Sequence, residues 1–234
     1  GDDELDLART CPGKPDGTVT ERTAQSLTKI IGEADYYIDL HTGGTTMAVL
    51  PMSGYTLHPD PDILESQRRM ARAFNLPIIW GTNPNLDGRS MSVARDAKVP
   101  AIYTEYLGSA TICPKGVDDY VQGCLNVMSD LGMIDLTLPQ TRVEHVVEDN
   151  RPLAGYMQIQ NPAPREGFFE PAVQLGQRVK AGDPLGTVSD PLGEQVQTVR
   201  SEQDGIILTL KTFCRVDEGD SVGVVVEVDR PLGA

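Results

Sequence analysis

Cysteine is scarce in this chain and scattered: the four residues, Cys11, Cys113, Cys124 and Cys214, form no CxxC pair. This spacing argues against a zinc knuckle or a dense disulfide framework and fits a reducing cytoplasm. Basic residues are also few, 20 against 34 acidic ones, and the net charge of −14 is relieved by no Lys/Arg cluster. A nucleic-acid backbone or an anionic membrane is therefore disfavoured as a partner. No apolar run approaches the roughly 20 residues of a membrane span, and no charged-then-apolar signal peptide opens the chain. With only three histidines, chemistry that needs an imidazole has few candidates.

What is present is the material of a soluble globular protein, 39% hydrophobic and 23% charged over 234 residues, enough for one large domain or two modest ones. The opening, "GDDELDLARTCPG", is abrupt and polar and reads like the middle of a longer protein. Thr18, followed by Glu21 and by apolar Ala24, Leu27, Ile30 and Ile31, predicts a helix ending at Gly32. "YYIDL" then reads as a short buried strand, the pair Gly43-Gly44 as a turn and "TMAVLPM" as a second apolar stretch. "DPDILESQRRMARAFNL" and "VDDYVQGCLNVMSDLGM" have helical spacing, "SMSVARDAK" looks helical, and "PIIW" and "PAIYTEYL" look extended. This alternation predicts an α/β layer with a largely parallel or mixed sheet, in which functional groups gather at strand ends such as His41 and Glu105.

After about Thr137 the texture changes to Pro, Gly, Val and short alternating runs. Val179–Val188 and Val216–Val225 share the pattern V-x-x-G-D-x-Φ-G-x-V, with Φ apolar. Two such copies predict β-turn-β units related by a pseudo-twofold, and so a small all-β second domain over residues 141–234 following a first over 1–140.

A metal hydrolase needs a neutral imidazole ligand, further His or carboxylate ligands, and a carboxylate to take the proton of the attacking water. His41, between the apolar strand and the Gly-Gly turn, is placed to reach a cleft, although spacing alone slightly favours a structural histidine. His58, in a Pro/Asp-rich loop, and His145, in a charged linker, read as solvated surface residues. Glu105 in an apolar strand is less easily dismissed, because an unpaired buried carboxylate is costly. Asp39 lies on the same strand face as His41 and is placed either to orient its imidazole or to cap a helix. Arg9 and Arg95 taken alone read as surface ion-pair partners.

"DLARTCPG", "DLHTGG" and "VPAIYTEYLG", with Glu21-Arg22 opening a helix between the first two, together resemble the succinylglutamate desuccinylase/aspartoacylase family, relatives of the zinc carboxypeptidases. The resemblance spans essentially the whole chain. It implies a zinc-carboxypeptidase-like mixed sheet flanked by helices, followed by a β domain similar to a biotinyl/lipoyl carrier. It also implies one zinc ion with His41 as its third ligand, and Glu105 as the catalytic carboxylate. Arg9 and Arg95 become the arginines that grip a small anionic N-acyl amino acid. Substrates of the N-acetyl-diaminobutyrate, succinylglutamate or acetylaspartate kind fit this reading, and "PDGTVTER" and "HTGG" stand nearer the bacterial deacetylase-like branch. Four departures follow. The family's other zinc ligands come from an His-x-x-Glu motif, which this chain lacks and which we expect upstream of Gly1. Ala8 stands where the family usually has Asn, and Cys11 where it usually has Phe. "RSEQDG", at the carrier-like hairpin, has no lysine to modify, so a swinging arm is not expected. The competing class is a non-catalytic binding module that kept the fold without a complete metal site. The sequence leaves an oligomeric state open.

Overall fold

The computed structural model describes residues 2–229. The capping box predicted by Thr18 and Glu21 forms: the Glu21 amide donates to Thr18 Oγ1, and the Thr18 amide to Glu21 Oε2 at 2.8 Å. It opens α1, Val19–Gly32. β1 (Tyr37–Leu40) and β2 (Met47–Thr56) follow, the latter running past Pro51, where its register against its neighbour shifts. A proline donates nothing to a ladder, so the irregularity sits where it costs least. Asp60 caps α2, Pro61–Phe74, through the Asp62 amide, and Asn75 in the left-handed region ends it. Next come β3 (Ile78–Thr82), α3 (Ser90–Asp96), β4 (Ala101–Gly108) and α4 (Pro114–Asp130). Among the described residues no helix is long and apolar enough to cross a membrane.

The result is a mixed α/β fold. β1 and β4 are parallel, β4 and β2 antiparallel, β2 and β3 parallel. β5, His145–Asp149, adds in parallel to β3. His145 is thus a half-buried strand residue rather than part of a solvated linker, and the α/β sheet continues beyond the boundary expected at residue 140. Alternation along β4 sorts its side chains: Ile102 and Tyr106 pack under α2 and α4, while Ala101, Tyr103 and Glu105 face the other way.

The repeat folds as two copies. The first comprises β6 (Gly167–Pro171), β7 (Arg178–Val179) and β8 (Pro184–Ser189). After β9 (Val196–Arg200), the second comprises β10 (Gly205–Lys211), β11 (Arg215–Val216) and β12 (Gly223–Val226). Phe169 pairs with Val188 in one copy as Ile207 pairs with Val225 in the other. The short strands are exchanged: Val216 pairs with Gly167, and Val179 with Gly205. Both repeat turns place a glycine, Gly182 (φ +90°) and Gly219 (φ +89°), where a side chain would be strained.

One antiparallel sheet, β11-β6-β8-β9, stands apart, but β10 does not. Its Thr209, Leu210 and Lys211 pair with Val49, Ala48 and Met47 of β2, which joins the second half of the chain to the main sheet. Every residue of β10 is buried, because its two faces serve two cores. Ile207 packs with Phe169, Val188 and Val225, whereas Ile206 and Leu208 pack with Met52 and Trp80.

Candidate active site

The face of the main sheet opposite α2 and α4 floors a cavity of about 600 Å³. His41 follows directly on β1. Its amide donates to the Thr104 carbonyl at 2.9 Å, and its carbonyl accepts the Tyr120 hydroxyl at 2.5 Å, so the backbone is pinned from both sides. The ring's Nε2 lies 3.0 Å from Asp39 Oδ2, and the same carboxylate oxygen accepts Ser90 Oγ at the start of α3. The hydrogen bond to Asp39 raises the His41 pKa, with burial opposing it. Burial pushes Asp39 up, but bonds from His41 and Ser90 outweigh it and hold the carboxyl below its ordinary value. Asp39 Oδ2 thus touches both the His41 ring and Ser90 at the start of α3. With Nε2 donating to Asp39, a neutral His41 keeps its lone pair on Nδ1.

Glu105 lines the same cavity from β4. It is 8% exposed, and its Oε2 is buried without a hydrogen-bond partner among the described residues. Burial pushes its pKa up to about 7; the charge of Asp39 adds to this, and His41 and Arg9 counter it. A carboxyl so placed can take and return a proton near neutrality.

Two arginines reach the cavity, and Arg95 is not one of them. Arg9 sits in the short turn Leu7–Arg9, which Asp6 caps through the Ala8 amide at 2.9 Å. Arg89 precedes α3. It lies over the Tyr156 ring, 5.0 Å from the centroid, and its Nη2 is buried without a hydrogen-bond partner among the described residues. Burial, and then the charge of Arg9, lower its pKa. Gly88, at φ +83°, lets the two segments meet: its carbonyl accepts the Cys11 amide, and a Cβ there would stand 2.9 Å from the Arg9 carbonyl oxygen. Arg95, at the far end of α3, spends its guanidinium on Asp87, Asp96 and the Pro84 carbonyl at 2.5 to 2.8 Å. Its own carbonyl lies 3.2 Å from Nε2 of His58, whose Nδ1 accepts the Asp60 amide. His58 is therefore buried, 6% exposed, as a staple between two helix ends rather than solvated.

The C-terminal half also lines the cavity. Thr209 and Lys211 of β10 lie beside Val49 and Met47 of β2, and all four line the cavity. Lys211 is 9% exposed and donates to Asp220 Oδ2 at 2.6 Å.

The sequence reading missed Arg89, Ser90, Thr209 and Lys211. Polar Thr209 and Lys211 at alternate positions of the apolar run "IILTLK" are the period-two signal that marks one wetted strand face. Nothing comparable marks Arg89, whose role depends on which end of α3 abuts Arg9.

A catalytic zinc site takes three protein ligands. His41 Nδ1 suits one of them, its ring being held from behind by a carboxylate as metal-binding imidazoles commonly are. Among the described residues no group of three His, Cys, Asp or Glu side chains stands together to complete the set.

Residues 2–131 match the profile of the succinylglutamate desuccinylase/aspartoacylase catalytic domain. Over 236 aligned residues the chain is 29% identical to N-alpha-acetyl-L-2,4-diaminobutyric acid deacetylase of Halomonas elongata, covering 97% of this chain and 66% of that protein. The chain thus spans slightly under two thirds of this relative's length. A succinylglutamatedesuccinylase/aspartoacylase from Rhodobacter sphaeroides superposes with a TM-score of 0.85 at 26% identity, covering 98% of this chain and 69% of that one. The product-bound ectoine utilization protein of Ruegeria pomeroyi gives 0.82 at 24% identity over 95% of this chain and 68% of that one, a likeness of fold.

Proposed function

The chain belongs to the succinylglutamate desuccinylase/aspartoacylase family, and from this premise we propose that the whole protein is a zinc-dependent hydrolase that removes the acyl group from the nitrogen of a small N-acyl amino acid. The observation that carries the reading is Glu105: a buried carboxylate with an unpartnered oxygen, pushed up to about 7, in one cavity with a carboxylate-held imidazole and two arginines.

His41 would hold the zinc through Nδ1, with further ligands from outside the described residues, while Asp39 and Ser90 fix the ring. Bound there, zinc would supply Lewis-acid polarisation of the acyl carbonyl. Glu105 takes a proton from the attacking water at Oε2 as the new C–O bond forms. It returns that proton to the amide nitrogen as the C–N bond breaks, so the products are a carboxylate and a free amine. Arg9 and Arg89 grip the substrate carboxylate, planar forks suited to it, and keep the scissile amide within reach of Glu105. The role expected for Arg95 passes to Arg89, because the Arg95 guanidinium is consumed by Asp87, Asp96 and Pro84. In this reading the β unit, similar in form to a biotinyl/lipoyl carrier but without a lysine at Ser201–Asp204, closes the cavity and carries no cofactor.

The test is Glu105→Gln in the complete, metal-loaded protein against a panel of N-acyl amino acids. We expect kcat to fall by about a thousandfold or more, with metal content and folding retained. Turnover equal to that of the unmodified protein would return the chain to the binding-module class.

A further inference from the structure

The hydrogen-bonding capacity left over in the cavity is mostly of one kind, and it lies at two places. Asp39 is occupied by His41 and Ser90, Asp6 accepts the Ala8 amide, and Asp220 Oδ2 accepts both Lys211 Nζ and the Asp217 amide. The donors are less committed. Arg9 gives one bond, to the Ala8 carbonyl, and Arg89 Nη2 is buried without a partner. On β10, two strands from β4, Lys211 gives one of its three N–H groups, to Asp220. Thr209, 1% exposed, has a buried hydroxyl with no partner among the described residues.

The sheet register fixes where this second group of donors lies. Thr209 is level with Val49, and Val49 with Leu107, two residues beyond Glu105. Two strand spacings and two residues along the strand put the Thr209 and Glu105 backbones roughly 12 Å apart. That separation suits opposite ends of one small substrate lying over the sheet. An ammonium group would meet the Lys211 charge there, whereas a carboxylate would take donors from both Lys211 and Thr209.

We infer that Thr209 and Lys211 form a second anion subsite, contributed by the C-terminal half, that binds a further carboxylate of the substrate beyond the one held by Arg9 and Arg89. The inference rests on the hydrolase reading for what the ligand is. The second carboxylate has two sources, the amino-acid side chain or the acyl arm. Asp220 acts as a positioning residue, holding the Lys211 ammonium against the cavity wall.

The test uses three probes, N-acetylalanine, N-acetylaspartate and N-succinylalanine. They are titrated calorimetrically into the complete metal-loaded Glu105→Gln protein and assayed for turnover with unmodified protein. We expect at least one of the two dicarboxylates to bind about ten- to hundredfold more tightly than N-acetylalanine, and the better of the two names the source. Thr209→Val and Lys211→Met should each shrink that ratio to within about threefold. Should Lys211→Met not fold because Asp220 is left alone, Thr209→Val carries the test. Equal binding of all three probes, or a ratio untouched in the folded variants, would overturn the subsite. A preserved binding ratio without turnover of any probe would sink the hydrolase reading and leave the subsite standing.

Discussion

Two glutamates on strands of the same sheet occupy opposite circumstances. Glu148 on β5 accepts Arg68 at both oxygens, at 2.7 and 2.8 Å, and the Tyr55 hydroxyl at 2.7 Å; the Arg68 bonds hold its pKa below the ordinary value. Glu105 on β4 has an oxygen with no partner, and burial drives its pKa the other way. The first arrangement exhausts the carboxylate in holding the fold, and the second keeps it available at a cost in stability. The same contrast separates Arg95, whose three guanidinium nitrogens all donate, from Arg89, with a buried nitrogen unspent. For both residue types, availability for chemistry tracks unspent bonds rather than burial alone.

The arginines give the sharpest test. Arg89→Met should lower kcat/KM by about a hundredfold, mostly through KM, while Arg95→Met changes it by less than about threefold. Steady-state kinetics on the same N-acyl amino acid decides, and the reverse ranking would return Arg95 to the substrate. Glu148→Gln should cost about 2 kcal/mol at neutral pH by urea denaturation, with kcat/KM little changed. Because the folded Glu148 pKa is depressed, its contribution is present above the unfolded value of about 4.3 and is lost as pH falls through the folded value. The gap between unmodified protein and variant should therefore close as the urea titration is moved from pH 7 to below pH 4. A gap that widens on acidification would contradict the assignment. The smallest effect belongs to Thr209→Val: replacing a buried hydroxyl that has no partner among the described residues by a methyl should leave stability unchanged or raise it by up to about 1 kcal/mol in the same assay.

Much of the α/β half was legible because its signals are local. The Thr18/Glu21 box and the helical spacing of α2 and α4 each depend on residues within a few turns of one another. The placing of His41 was legible because it directly follows a short apolar strand, and that of Glu105 because it is a lone carboxylate within one, although inside β4 rather than at its end. Arg89 was not, since its place is set by Gly88 packing on Arg9, about eighty residues away in the chain. Nor was the burial of His58, which depends on the carbonyl of Arg95. The V-x-x-G-D repeat announced two similar units, but their exchange of short strands is a long-range pairing that no local pattern encodes. The attachment of β10 to β2 was hidden for the same reason, although its unbroken apolar run with polar Thr209 and Lys211 on one side carries the trace of it.

That attachment makes a symmetric pair of repeats unequal in what they tolerate. In β6, Phe168 and Glu170 are exposed and only Phe169 faces a core, so two of three neighbouring positions are free to drift. The equivalent positions of β10, Ile206 and Leu208, press on the α/β sheet while Ile207 fills the repeat core, and none of the three is free. Charged substitutions should be absorbed at Phe168 and Glu170 of the first and rejected at Ile206, Ile207 and Leu208 of the second. The copy that helps build the cavity is thus the copy the chain can least afford to vary.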